Sequence, residues 1–135
     1  MDFSQDYIEP EKKLLGVWVK PSEKDDVEFR VRPYSRMSYY TAIGAELDVK
    51  KIEIEEIKDK HEKEAAYKKF MSKKLVEVFL LDWKNVTMKG EQVPFSVDKA
   101  TDLILGSEKF MQMVNTAIER VSTIVEERDE ELEKN

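Results

Sequence analysis

The side chains best suited to acid–base or metal chemistry are one histidine and two groups of carboxylates. His61 is the only histidine, and the chain has no cysteine, so a metal site of nitrogen and sulfur ligands is not predicted. Catalysis by His61 would require a nucleophile or a carboxylate beside it, and its sequence neighbours, Lys60 and Glu62, belong to a charged helical segment. We therefore interpret His61 as an exposed or half-buried helical residue.

The carboxylates are concentrated within residues 53–56 and 126–131. Paired carboxylates perform acid–base chemistry only when their surroundings separate their pKa values, and both groups lie in highly charged stretches. Such stretches are typical of a solvated, solubilising surface. The sequence also contains no phosphate-binding glycine loop, calcium loop or hydrolase motif. We expect no catalytic residue, no metal and no cofactor, and an activity that consists of binding.

Five aromatic or methionine side chains are candidates for contact with a protein partner. Trp18 lies opposite Val17 and Val19 on a predicted strand, so it is an exposed contact if that face is open, and a core residue if a helix covers it. Methionines adapt to varied partners, so they either line a groove for a partner helix or fill the core. The candidate contact residues are Trp18, Trp83, Phe110, Met111 and Met113.

Four lysines form a candidate nucleic-acid surface. They lie near one another on a predicted helix, and a solvated helix face is the alternative interpretation. The formal net charge of the chain is −6, which repels a phosphate backbone and disfavours nucleic-acid binding. These residues are Lys68, Lys69, Lys73 and Lys74.

The length and composition predict one domain over residues 1–135. The chain has 135 residues, of which 41% are hydrophobic and 39% are charged, enough to bury a core beneath a charged surface. No apolar run is long enough to span a bilayer, and the N-terminus lacks the pattern of a signal peptide. We expect a soluble cytoplasmic protein, with a loose N-terminal arm over 1–12 and a charged C-terminal tail over 126–135.

The N-terminal half is predicted to form a β-hairpin followed by helices. Apolar residues alternate over 14–20 and 26–32, and a lone hairpin must rest its apolar face on other elements. A short helix is predicted over 36–47. Residues 48–57 fit either a strand or a helix, and we prefer a strand or extended segment over 49–54. A long amphipathic helix is then predicted over 55–81.

The C-terminal half is predicted to contain a turn or small hairpin and two helices. The turn spans 85–93, and the first helix spans 97–105 with Ser96 as its N-cap and Gly106 as the C′ residue. Ser107 caps the second helix, whose apolar face runs to residue 125, after which the helix either continues into solvent or frays. The predicted fold is α+β and mainly α-helical: an N-terminal β-hairpin packed on about four helices, with a long C-terminal helix.

The stretch 75–96 carries a family resemblance. A hydrophobic helix end is followed by Trp83, a turn containing Gly90, a proline–aromatic–serine step, and a short helix before a longer one. This order resembles the tail assembly chaperones of long-tailed bacteriophages, and residues 16–19 and 29–34 are similar to the front of some of these proteins. Further matching residues are Asn85, Val86, Pro94, Phe95, Ser96, Ala100, Leu103, Leu105 and Phe110.

The resemblance implies a function in the cytoplasm of a bacterial host. Such a chaperone keeps the phage tape measure protein soluble and helps the tail-tube protein assemble around it, and it could also form a homo-oligomer. Apolar patches on the helices at 67–81 and 107–125 would then supply the binding groove. Two alternatives remain: a structural or adaptor subunit of a phage tail or related tube, and a small nucleic-acid-binding regulator.

Overall fold

The computed structural model describes residues 1, 2, 4, 15–33 and 36–134 of the chain. The loose arm predicted over 1–12 therefore lies largely outside the described residues. Within them, the structure has four helices and two small antiparallel sheets. The predicted α+β, mainly helical architecture with an N-terminal hairpin is confirmed.

The main sheet contains the predicted hairpin and a third strand. Strands β1 (Val17–Val19) and β2 (Glu28–Val31) pair antiparallel, and β2 also pairs with β3 (Leu80–Lys84). The alternation of β2 places Phe29 and Val31 on the inner face, where both are fully buried. Gly16 precedes β1 with φ +77°, and a Cβ at this position would lie 2.9 Å from the carbonyl oxygen of Val31. The hairpin therefore requires glycine at its start.

Strand β3 corrects the prediction of a helix over 55–81. Helix α2 (Lys60–Phe79) ends before Leu80, which takes an extended conformation and begins β3. Arg32 stabilises this junction, since its backbone N–H donates to the carbonyl of Phe79 at 2.9 Å and its Nη1 donates to the carbonyl of Val78 at 3.1 Å. From Leu80 onward, pairing with β2 satisfies the backbone groups in place of the helical hydrogen bonds.

Helix α1 (Arg36–Glu55) corrects the expectation of a strand over 49–54. The helix continues through this segment, and a four-residue connection leads to α2, which Asp59 caps by accepting from the N–H of His61 at 2.7 Å. Helices α1 and α2 form an antiparallel helical hairpin, in which Ile43 and Ile54 of α1 are buried.

The C-terminal half largely follows the prediction. Strands β4 (Thr87–Met88) and β5 (Glu91–Gln92) form a small hairpin whose two turn residues, Lys89 and Gly90, have φ of 52° and 80°, the signs of a type I′ turn. Helix α3 (Val97–Gly106) is capped by Ser96, and α4 (Glu108–Lys134) by Ser107. Gly106 is the last residue of α3 and not its C′ residue.

The described part of α4 continues to Lys134, so the alternative in which the helix extends beyond residue 125 is the one observed. None of the helices in the described part of the chain is long and apolar enough to cross a membrane.

One hydrophobic core joins the inner face of the main sheet to three helices. It is built from β2, β3, the C-terminal end of α2, and the inward faces of α3 and α4. None of the described side chains of helix α1 belongs to this cluster, and the helix packs on α2. The buried members of the cluster are Phe29, Val31, Val76, Phe79, Leu80, Trp83, Val86, Ala100, Ile104, Val114, Ala117, Ile118 and Val121.

Candidate protein-binding site

Trp83, one of the predicted contact residues, belongs to the core. Its side chain is 6% exposed, and its indole Nε1–H donates to the carbonyl of Val93 at 2.7 Å. The rings of Phe95 and Phe110 meet it edge-on, with centroids at 5.0 and 5.8 Å. Such geometry stabilises the fold, and it leaves the indole no surface to offer to a partner.

Phe110 and Met113 also turn toward the core. Both are partly buried against it, and the ring of Phe110 meets that of Phe29 edge-on at 5.5 Å. Next to them, Val114 and Ala117 of α4 are fully buried, and Val76 and Phe79 of α2 lie in the same cluster. Among the described side chains, the apolar residues within 75–80 and 110–121 therefore fill one core, and no open groove for a partner runs between them.

Met111 and Trp18 remain at the surface to different degrees. Met111 is 36% exposed on α4. Trp18 is half-buried on the outer face of the main sheet, where the Nζ of Lys84 lies 4.0 Å and the Cζ of Arg30 5.9 Å from the ring centroid. Two cations of the chain thus lie within cation–π distance of the indole, an arrangement that neither predicted alternative included.

Among the helical side chains whose exposure the structure describes, the most exposed apolar ones lie on α1. Val49 is 61% and Ile52 67% exposed, and Ala42 and Ala45 are exposed on the same face. These four residues, here called the α1 stripe, recur at steps of three, four and three, so they form one line along the helix. The opposite face of α1 holds Ile43 and Ile54, which pack toward α2. The stripe therefore has no partner within the described part of the chain.

Carboxylates border the α1 stripe on both sides. Glu46 and Glu53 follow one edge and Asp48 and Glu55 the other, each pair seven residues apart. In heptad terms, the stripe occupies positions a and d, and the four carboxylates occupy positions e and g. All four are exposed.

Shallow depressions lie where α1 meets α2, on either side of α1. One, of about 430 Å³, is lined by Ala45, Glu46, Val49, Lys50, Glu53 and Phe70. The other, of about 320 Å³, is lined by Lys51, Ile54, Glu55, Lys63, Glu64 and Tyr67. The first depression thus connects Ala45 and Val49 of the stripe with Phe70 of α2.

Lys74 holds the two helices of the hairpin together. Its ammonium group contacts the carboxylate of Glu46 on α1 and that of Glu77 at 2.8 Å on its own helix, and its side chain is only 12% exposed. Hydrogen bonds to Glu46 and Glu77 raise the pKa of Lys74 above its ordinary value. Lys74 is therefore engaged within the protein, whereas Lys68, Lys69 and Lys73 are exposed. This weakens the four-lysine nucleic-acid surface.

We expect Lys74→Met to destabilise the protein by about 1 kcal/mol, because the two carboxylates lose their charged donor but stay accessible to water. A raised pKa means that the stabilisation is complete below the unfolded-state pKa, near 10.5, and is lost as the pH rises through the higher folded-state value. The stability difference between the two proteins should thus be constant from about pH 7 to 10 and shrink above it. Urea unfolding at several pH values measures it, and a difference that vanished near neutrality would contradict the assignment.

The described residues bring together no group of three or more side chains capable of holding a metal ion. His61 is exposed in the first turn of α2, and its backbone N–H, not its imidazole, makes the capping contact with Asp59. The surface with a distinctive arrangement is the α1 stripe. Sequence reasoning missed it because a strand or extended segment is predicted over 49–54, where the structure has a helix.

Residues 26–135 match the family model of the YdaY prophage protein. The chain belongs to the YdaY prophage protein family. The match begins just before β2 and includes the helical hairpin, β3, α3 and α4, so it covers the core and the α1 stripe alike. No curated protein matches the chain, and no solved structure matches it. The family match shows that this is a phage or prophage protein, as the resemblance to tail assembly chaperones implies.

Proposed function

We propose that this YdaY-family protein is a non-catalytic chaperone of phage tail assembly. It keeps the tape measure protein soluble and helps the tail-tube protein assemble around it. The observation that carries the proposal is the α1 stripe, a line of exposed apolar side chains on a helix in a chain of prophage origin. The choice of the tape measure protein as the client rests on the resemblance of residues 75–96 to tail assembly chaperones.

The stripe suits a helical client for a physical reason. An isolated long helix with an exposed apolar face aggregates, since self-association is then the way to remove that face from water. Docking it on Val49 and Ile52 removes apolar surface from water on both partners, at roughly 25 cal/mol per Å². Because 39% of the residues are charged, the outside of the complex stays solvated.

The test is co-expression with a long coiled-coil tape measure protein of a prophage that encodes this family, followed by pull-down and size-exclusion chromatography with light scattering. We expect the long protein to be insoluble alone and to form a soluble complex with this chain. The double variant Val49→Ser, Ile52→Ser should lose most of that solubilisation. It should keep its unfolding midpoint, because both side chains are already exposed.

A control variant replaces two exposed apolar side chains elsewhere on the surface. Met88 and Leu105 are 46% and 44% exposed, on β4 and α3, so Met88→Ser, Leu105→Ser should leave the complex intact. If the long protein stays insoluble with the wild-type chain, and this chain forms rings or tubes by itself, it is a structural subunit of the tail and the chaperone proposal fails.

A further inference from the structure

We infer that the α1 stripe binds an amphipathic helix whose apolar seam is flanked by lysine or arginine, and that it does not pair with a second copy of this chain. The inference rests on the proposed function, and it adds the chemical class of the partner segment. It is carried by the line of Ala42, Ala45, Val49 and Ile52 together with the carboxylates on both of its borders.

The borders disfavour self-pairing in either orientation. In a parallel pair of helices, each g position faces an e position of the partner; in an antiparallel pair, e faces e and g faces g. The border residues of this chain are Glu46 and Glu53 at e, and Asp48 and Glu55 at g. In a parallel pair Asp48 of each copy would face Glu53 of the other, and in an antiparallel pair every border contact would join two carboxylates. Lysine or arginine on a different helix would instead meet a carboxylate at each border position.

Neighbouring cations only partly offset the acidic borders. Glu46 contacts Lys74, and Glu53 contacts the Nζ of Lys50 at 3.1 Å. Lys74 is shared with Glu77, and the Lys50 pair is exposed to solvent, where such a pair contributes little. Residues 42–56 contain five carboxylates and two lysines, so the border retains an excess of negative charge.

The α1 stripe also specifies the size of the partner's side chains. Ala42 and Ala45 leave room for large apolar residues such as leucine, whereas Val49 and Ile52 provide bulk of their own. Two heptads are fewer than an isolated coiled coil needs, but α1 is already held as a helix by Ile43, Ile54 and the contact with Lys74. Binding therefore does not have to order this half of the interface.

The test uses three synthetic 21-residue peptides and the full chain. The first has leucine at a and d and lysine at e and g; the second has glutamate at e and g; the third has the composition of the first in scrambled order. Titration by calorimetry at 150 mM salt gives the dissociation constants. We expect the lysine-flanked peptide to bind at least tenfold more tightly than either of the others.

Two charge variants separate the stripe from the overall charge. Asp48→Lys, Glu55→Lys reverses one border, and Asp102→Lys, Glu119→Lys makes the same charge change at exposed positions of α3 and α4. We expect the first variant to bind the lysine-flanked peptide roughly tenfold more weakly, and the second to change its affinity by less than about threefold. Equal losses in the two variants, tight binding of the scrambled peptide, or dimerisation of the wild-type chain that Val49→Ser, Ile52→Ser abolishes would overturn the inference.

Co-expression distinguishes this inference from the proposed function. If the border variant still solubilises the long coiled-coil protein, the chaperone proposal stands and the basic partner class is wrong. If the peptides behave as expected but the long protein remains insoluble, the partner class stands and the tape measure client is wrong.

Discussion

Replacement of Trp83 by alanine is expected to destabilise the protein by about 3–5 kcal/mol. The indole is 6% exposed and lies between the rings of Phe95 and Phe110, so its loss leaves a cavity that both rings border. The carbonyl of Val93 also loses a donor at 2.7 Å. Thermal unfolding followed by far-UV circular dichroism should show a midpoint about 10–20 °C lower than that of the wild-type protein.

Trp18→Ala is the matched control, because it removes the only other tryptophan. Trp18 is half-buried, and its ring contacts the Lys84 ammonium at 4.0 Å, so the substitution should cost about 1 kcal/mol. The two variants should therefore differ clearly in unfolding midpoint. If Trp83→Ala kept the wild-type midpoint and lost only a binding partner, the assignment of Trp83 to the core would be wrong.

Local signals predicted the parts of the fold that depend on a few neighbouring residues. The alternation around Phe29 and Val31 identified β2, and the serines at 96 and 107 marked the starts of α3 and α4. In each case the side chain acts within its own element: Ser96 accepts from the N–H of Lys99 at 3.0 Å, and Ser107 from that of Phe110 at 3.1 Å. Such contacts do not depend on the distant packing of the chain.

Strand β3 could not be predicted this way, because a distant part of the chain decides its conformation. The run from Leu75 to Leu81 is apolar enough for a buried helix or a buried strand. The change at Leu80 follows from pairing with β2, where Trp83 lies opposite Phe29 and Asp82 opposite Arg30. That register contact joins residues more than fifty positions apart, and no local pattern contains it.

The error in α1 arose from the same kind of ambiguity, and it concealed the binding surface. Ile52 and Ile54 alternate as on a strand, yet on a helix two residues two apart point to different sides. Ile54 is 9% exposed, whereas Ile52 is 67% exposed. The apolar residues of α1 thus lie on two faces of the helix, one packed on α2 and one exposed to solvent. A single-face helix template fits such a pattern poorly.

The candidate contact residues show why residue type alone misleads. Tryptophan, phenylalanine and methionine are common in interfaces and in cores, and the sequence does not distinguish the two. Of the five predicted residues, Trp83 is buried, Phe110 and Met113 pack against the core, and Met111 is 36% exposed. The α1 stripe carries smaller aliphatic side chains. Their exposure in the structure, and not their residue type, identifies them as a candidate binding surface.

Val114→Asp tests whether the inward face of α4 is core or groove, and it should have the largest effect of any substitution considered. Val114 is fully buried in the cluster formed by the sheet and three helices. An aspartate there would bury a charge or a proton-bearing carboxyl among apolar side chains, at a cost of more than about 4 kcal/mol. That is a large fraction of the stability of an ordinary domain, so we expect the variant to be mostly unfolded at 25 °C.

Asn115→Asp provides the control, since it places the same carboxylate on the neighbouring, exposed residue of α4. Its stability should lie within about 0.5 kcal/mol of the wild-type value. Circular dichroism and urea titration measure both variants. If Val114→Asp stayed folded and lost only the binding of its client, the faces of 67–81 and 107–125 would open to form the groove. The α1 stripe would then not be the binding surface. If Val114→Asp unfolds and Asn115→Asp remains native-like, the apolar face of α4 around Val114 belongs to the core. The α1 stripe is then the apolar surface that a partner helix can reach.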